Sequence, residues 1–260
     1  MNILITGAAS GIGYNTGMKL AKLGYNVFFS VETDKQLEVL REKIDNDRLH
    51  IGSFRLDVKK KEDREKLENM DIDILISNAA IGVGGSILEA NMDNVRENYE
   101  VNVFSNFEVV QIVLNNMLNK NSGKIVIMSS MIANIPIPFL GIYASTKASI
   151  SMLGSCLRKE IKLINKNVDI TLIEPGIYKT GFNKVMLDSK YDNKNSRFKE
   201  LNNSIMVLEN EILNFAGSRN LDSISDKIIE AALSNKTKPI YRAPLIQNIF
   251  IKLYMKFIKN

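Results

Sequence analysis

In 260 residues the chain has one cysteine, one histidine, five prolines and no tryptophan. A lone Cys156 excludes an internal disulfide, and so little thiol fits a reducing compartment. The only histidine, His50, opens a strand-like run and reads as a structural or surface residue, and no convincing metal site stands out. No apolar run nears the roughly 20 residues that cross a bilayer. No secretory leader precedes the first strand-like run, Asn2-Ile3-Leu4-Ile5. These absences predict a cytoplasmic protein that does not span a membrane.

What is present is ordinary globular material: 45% hydrophobic, 24% charged, 15 glycines, and enough length to bury a full core. The net charge of +5 is uneven. Lys236, Lys238, Arg242, Lys252, Lys256 and Lys259 follow one another with no acidic residue between them. Of 34 basic and 29 acidic residues, the chain before Lys236 therefore holds 28 against 29. Basic pI thus belongs to a tail, not to a face with a nucleic-acid-binding module, and no nucleic-acid partner is expected.

Seven short, β-branched runs alternate with helical periodicity, the pattern of a parallel sheet covered on both faces. The strands are expected at Asn2–Thr6, Asn26–Ser30, Leu49–Leu56, Ile72–Ser77, Lys124–Ser129, Asp169–Glu174 and Pro239–Arg242. Helices are expected at Ile12–Leu23, Lys35–Ile44, Lys61–Met70, Asn94–Leu118, Tyr143–Ile164 and Ser223–Leu233. No composition break divides the chain, so residues 1–260 read as a single α/β domain, a doubly wound parallel β-sheet with helices on both faces. Cys156, within the Ser151–Leu157 stretch, reads as a small buried residue.

Thr6-Gly7-Ala8-Ala9-Ser10-Gly11-Ile12-Gly13 joins the first strand to the first helix. Glycines there permit a tight turn and let backbone N–H groups approach a pyrophosphate at the positive helix end. Tyr143 and Lys147, at i and i+4, share one helix face. A phenol with pKa near ~10 is a poor base, and a nearby ammonium is expected to lower that pKa and suit it for proton transfer. Taken singly, either motif has a plain structural reading, as a ligand-free turn or a surface pair.

They do not stand singly. The glycine spacing resembles the nucleotide-binding signature of the short-chain dehydrogenase/reductase family, and the resemblance continues in order over residues 1–180. Leu56-Asp57-Val58, Ser77-Asn78-Ala79-Ala80, Asn102, Ser129-Ser130, Tyr143-Ala-Ser-Thr-Lys147 and Pro175-Gly176-Ile177-Tyr178-Lys179-Thr180 are similar to its successive motifs. The resemblance implies a Rossmann-like domain with Asn102, Ser130, Tyr143 and Lys147 as catalytic residues. Ser130, 13 residues before Tyr143, fits the family spacing better than Ser129. By the same resemblance Gly7, Ser10, Gly11, Ile12, Gly13, Glu32, Asp57, Val58, Asn78, Ala79, Tyr143, Lys147, Pro175, Gly176, Ile177 and Thr180 hold a nicotinamide cofactor. Tyr143 would exchange a proton with a substrate oxygen held by Ser130, and Asn102 would position a water linking Lys147 to solvent.

NAD is favoured over NADP. Glu32 falls 19 residues after Gly13, near the ~20 expected for an acid that binds the ribose 2′-OH, and would repel a 2′-phosphate. Val31 at the more frequent acidic position, and Lys35 close by, weigh against this. Residues 181–220 read as a substrate lid beyond a strand's carboxyl end. Residues 245–260 read as an amphipathic helix, with Ile246, Ile249, Phe250, Leu253 and Phe257 in one stripe. It would dock on the fold or a partner subunit, or touch an anionic membrane surface weakly. The helices Asn94–Leu118 and Tyr143–Ile164 correspond to the family's subunit interface, which implies a homodimer or homotetramer. Ile132, Ile135, Ile137, Phe139, Leu140 and Ile142, with Val185, Met186 and Leu187, lean toward a lipid-like alcohol or ketone as substrate. The alternative from another class is a catalytically silent nucleotide-sensing regulator of the same fold, which an intact Asn102, Ser130, Tyr143 and Lys147 argue against.

Overall fold

The computed structural model describes residues 1–44, 49–164, 166–182, 186, 196–201, 207, 211 and 217–249. Seven parallel strands form one sheet among them: β1 (Asn2–Ile5), β2 (Asn26–Val31), β3 (Ile51–Arg55), β4 (Ile74–Ser77), β5 (Gly123–Met128), β6 (Val168–Pro175) and β7 (Ile240–Ala243). Their order is β3-β2-β1-β4-β5-β6-β7. Each expected strand is present, with ends shifted by at most a few residues. The helices are α1 (Gly11–Lys22), α2 (Asp34–Ile44), α3 (Lys61–Glu65), α4 (Met92–Tyr99), α5 (Asn106–Asn119), α6 (Gly141–Leu163) and α7 (Asp222–Leu233).

Strand side chains alternate between faces, so β1 feeds two cores at once. Ile3 and Ile5 join Leu20 of α1, Leu40 of α2, Phe29 and Ile228 of α7 on one side. Leu4 joins Val109 and Val113 of α5, Ile125, and Ile150 and Ile161 of α6 on the other. Each such buried aliphatic contributes about 1.5–3 kcal/mol, which is why these strands read as nearly unbroken apolar runs. From β1 the chain winds outward through β2 and β3, then returns to build β4 to β7 on the opposite side. The carboxyl ends of β1 and β4 therefore flank a crevice at the topological switch point, where open α/β sheets bind ligands.

Three expectations need correction. The segment expected as one helix, Asn94–Leu118, starts at Met92 and contains a π turn at Glu100–Ser105 between α4 and α5. The Asn106 carboxamide donates to the Val101 carbonyl at 2.8 Å and so takes up a group from the regular ladder. Lys61–Met70 is the short α3 followed by a 3₁₀ turn, Lys66–Asn69. Cys156 is exposed, because the buried stripe of α6 runs through Tyr143, Lys147, Ile150, Gly154 and Ile161 and leaves residue 156 off that line. Of the expected C-terminal helix, residues 245–249 are helical and 250–260 lie outside the described residues. Val185, Leu187 and most of the expected lid lie outside them too.

Candidate active site

β1 runs into the glycine turn, and α1 starts at Gly11 with no acidic residue in its first turn. Gly7 sits at φ 63° and Gly11 at φ 62°, the left-handed region that favours glycine. A Cβ at Gly7 would lie 2.7 Å from Ala79 Cα, so the turn packs directly on the end of β4. The buried Thr6 hydroxyl locks that junction by accepting from the Asn78 and Ala79 N–H groups at 2.9 and 3.0 Å. Asn78 Nδ2 in turn donates to the Thr6 and Gly7 carbonyls at 2.9 and 3.0 Å. Ser10, Ile12 and Gly13 complete the turn and the start of α1, and Thr180 faces Gly11 from across the crevice, its Cγ2 3.6 Å from where a Cβ would be.

On the adenine side expected from the sequence, Glu32 follows β2 and is exposed. Gln36 Oε1 accepts from its N–H at 3.0 Å. Asp57 and Val58 follow β3. A buried Asp63 orders them, accepting from the Asp57 N–H at 2.9 Å and from Arg55 at 3.0 Å.

Ser130 lies two residues beyond β5, and Tyr143 and Lys147 lie in the first two turns of α6. The Ser130 hydroxyl lies close enough to the Tyr143 phenol to bias its titration; it accepts from the Ile132 N–H at 3.3 Å and donates to the Pro175 carbonyl at 3.5 Å. The neighbouring Ser129 faces the other way, donating to the Lys147 carbonyl at 3.1 Å. Lys147 is buried, donates to the Met128 carbonyl at 3.1 Å, and sits 5.7 Å from the Tyr143 ring centroid. The net shift of the Tyr143 pKa is upward, not the lowering expected: burial raises it, outweighing the lowering effect of the nearby Ser130 hydroxyl. Burial likewise pushes Lys147 down to about 8.

Asn102 lies within the π turn. Its carboxamide spans the Ile81 peptide, accepting from the N–H and donating to the carbonyl, both at 2.8 Å. It also reaches Asn98 Oδ1 at 2.8 Å and Thr146 Oγ1 at 3.1 Å, and Thr146 donates to the Tyr143 carbonyl at 2.8 Å. The site residues named from the sequence thus converge on the carboxyl ends of β1, β4, β5 and β6, apart from Glu32, Asp57 and Val58 beyond β2 and β3.

Sequence reasoning missed several members. Asn98, Asn102 and Asn106 recur every fourth residue, a period that marks one helix face and was available as a signal. Phe182 meets the Tyr143 ring at a tilt of 56°, with 5.5 Å between centroids. Phe198 meets Phe139 edge-on at 5.3 Å. Phe139 is held at φ 62°, rare for a non-glycine residue, and its carbonyl accepts from Gly85 at 2.8 Å. Glu89 accepts from the Ser196 hydroxyl and the Arg197 N–H, both at 2.7 Å, and those bonds hold its carboxyl below the usual range. Such long-range partners leave no local pattern.

A glycine cradle at the switch point beside a buried phenol–ammonium pair and a half-buried hydroxyl defines a Rossmann-like domain of the dehydrogenase kind. The sequence profile described as short chain dehydrogenase matches residues 1–190. Over 265 residues the chain is 30% identical to the probable short-chain type dehydrogenase/reductase VdlC of Helicobacter pylori, covering 96% of this chain and 91% of that protein. It is 27% identical over 256 residues to the 3-ketodihydrosphingosine reductase of Bacteroides thetaiotaomicron, covering 96% and 90%. Among solved structures, a family member from Burkholderia phymatum in complex with NAD superposes with a TM-score of 0.84 at 19% identity, covering 99% of this chain and 94% of that one. A serine dehydrogenase complexed with NADP+ superposes with a TM-score of 0.80 at 20% identity, covering 95% and 96%. The chain belongs to the short-chain dehydrogenase/reductase family of oxidoreductases.

Proposed function

We propose that this protein interconverts a ketone and a secondary alcohol on an apolar, lipid-like substrate, using a nicotinamide nucleotide, NAD in preference to NADP. The observation that carries the reading is the buried Tyr143–Lys147 pair with the half-buried Ser130 beside it at the crevice. The cradle fits the cofactor: backbone N–H groups at Gly11, Ile12 and Gly13 suit a pyrophosphate, and a side chain at Gly7 would clash with Ala79. Asp57, Val58, Asn78, Ala79 and the 175–180 strip border the rest, with Glu32 placed for the ribose. When bound, the nucleotide supplies or accepts the hydride.

The chain's own part is proton handling. Ser130 orients the substrate oxygen by a hydrogen bond. Tyr143, its pKa raised by burial, keeps its proton at neutral pH, the state needed to deliver it to a ketone oxygen. The Lys147 ammonium beside it stabilises the phenolate left behind, and Asn102 steadies the 81 loop and α6 behind them. Phe139, Phe182 and Phe198 support the apolar substrate: Phe182 packs on the Tyr143 ring, and Phe198 meets Phe139, four residues before Tyr143 in the chain.

A homodimer or homotetramer is supported by the outer faces around α5 and α6, where Phe104, Met152 and Leu153 are exposed. A weak contact with an anionic membrane surface through 245–260 is supported by exposed Leu245, Ile246 and Ile249 followed by three lysines. Cosedimentation with anionic vesicles, lost on deletion of 245–260, checks that contact. A cytoplasmic location is supported by the single cysteine.

The deciding experiment is turnover of a graded ketone and alcohol panel with NADH and NADPH. Reduction of medium- and long-chain ketones, absent in Tyr143→Phe, is expected. Full activity in that variant overturns the mechanism, and a preference for short polar substrates overturns the substrate class.

A further inference from the structure

β6 and β7 pair from Leu172↔Ile240 to Pro175↔Ala243, and one more ladder bond joins the Gly176 N–H to the Ala243 carbonyl at 2.8 Å. There the ladder loses its partner, because the next residue on the β7 side is Pro244, which has no N–H. The following peptide on the β6 side, at Ile177, is taken by a side chain instead. Gln247 Oε1 accepts from the Ile177 N–H at 2.6 Å, and Gln247 Nε2 donates to the Ile177 carbonyl at 3.2 Å. A carboxamide carries one acceptor and donor groups on adjacent atoms, so it can stand in for a strand peptide, as a carboxylate or thioether cannot.

Two features show that this clasp is built into the fold. A Cβ at Gly176 would lie 2.0 Å from Gln247 Oε1, so the bare glycine admits the carboxamide. The Ile177 carbonyl also accepts from the Ser218 N–H at 3.0 Å, while Lys179 N–H donates to the Ser218 carbonyl at 2.9 Å. Ile177 is therefore the point where the chain leaving β6 meets the segment at Ser218 and where the C-terminal segment grips it.

We infer that Gln247 is a positioning residue that holds the Ile177 peptide and so sets the cofactor strip 175–180. The inference rests on the cofactor reading above. It assigns the segment after β7 a role in nicotinamide-nucleotide binding that acts through backbone placement and not through contact with the cofactor.

The test uses the full chain and three variants, Gln247→Met, Gln247→Glu and Gly176→Ala. In Gln247→Met the NADH dissociation constant should rise roughly tenfold, equivalent to about 1.4 kcal/mol. The Ile177 amide should exchange with deuterium faster in that variant even without nucleotide. Gln247→Glu keeps the acceptor and should give intermediate protection of that amide. Gly176→Ala, which displaces the carboxamide, should weaken binding similarly, and the double variant should fall short of the sum of the two. Unchanged NADH affinity in Gln247→Met beside a parent that binds normally overturns this inference alone. So does a uniform loss of protection across the sheet, which would mark a purely structural role. A parent that binds neither NADH nor NADPH overturns the cofactor reading and this inference together.

Discussion

Lys147 places its Nζ 5.7 Å from the centroid of the Tyr143 ring, one helical turn along α6, and both side chains are sealed from solvent. In that setting burial disfavours both charged forms, raising the phenol and lowering the ammonium. The resting pair is thus a protonated phenol beside a group that can still carry charge at neutral pH. Such a pair is loaded for donating a proton to a carbonyl oxygen.

Tyr143→Phe keeps the ring and removes the proton. Turnover of a ketone should fall by about 10²–10⁴, the usual contribution of a positioned general acid. Nucleotide affinity should stay within about threefold, because the ring still packs on Phe182. Steady-state kinetics together with a nucleotide titration measure both. Loss of binding along with turnover would assign Tyr143 to the scaffold.

The Lys147 shift also predicts how stability varies with pH. Its folded pKa of about 8 lies below the ordinary 10.5. Between those values the unfolded chain binds more protons, so stability rises with pH across that window. The cost of burying the charge is fully present below about pH 8 and gone above 10.5, with an upper bound on the order of 3 kcal/mol. Tyr143 acts oppositely: its raised pKa leaves stability intact below pH 10 and erodes it above. Urea unfolding at pH 7, 8, 9 and 10 should show a rise in the parent that is flattened in Lys147→Met. Parallel curves for the two proteins would remove the assignment.

The sheet was legible because its strands are buried on both faces, so runs such as Ile125-Val126-Ile127 carry their own signature. The catalytic set was legible through spacing, since Tyr143 and Lys147 need only a helix to share a face. The π turn was not, because it depends on Asn102 and Asn106 reaching the Ile81 peptide and the Val101 carbonyl. The sign of the Tyr143 shift was missed for a related reason. Burial is a property of the surroundings, and Phe182 reaches the ring from 39 residues away along the chain. Cys156 was misjudged because the small and apolar residues around it on α6 hide which of them lie on the outward face. Glu89 with Ser196, and Gln247 with Ile177, meet across 107 and 70 residues, beyond the reach of any local period.

Glu32 follows β2 and is exposed, two residues past Ser30, whose carbonyl accepts from the Ala8 N–H of the glycine turn at 2.9 Å. A carboxylate there suits a ribose hydroxyl and opposes a phosphate. Glu32→Ser should shift the ratio of kcat/KM for NADPH over NADH by at least about tenfold toward NADPH, equivalent to about 1.4 kcal/mol of discrimination. The rate with NADPH should rise as that with NADH falls. An unaltered ratio would mean that preference is set elsewhere.

Glu89 tests whether residues 196–198 help to enclose the substrate. Its carboxylate accepts from the Ser196 hydroxyl and the Arg197 backbone, while Phe198 meets Phe139 a few residues along the same segment. These contacts tie residues 196–198 to the loop after β4 and to the strained Phe139 before α6. Glu89→Ala removes the tie without touching Tyr143, Lys147 or the glycine turn. KM for a long-chain ketone should rise severalfold with kcat nearly unchanged, and a short ketone should be affected less. Glu89→Gln, which retains an acceptor oxygen, should recover much of the loss. The hydrogen bonds hold the Glu89 pKa below the ordinary carboxyl range, so its contribution is present above that range and is lost only as pH falls through the lowered value. KM for the long ketone should therefore be flat from pH 6 to 8. Equal changes in KM for long and short ketones, or a fall in kcat alone, would show that this contact does not govern how the substrate is enclosed.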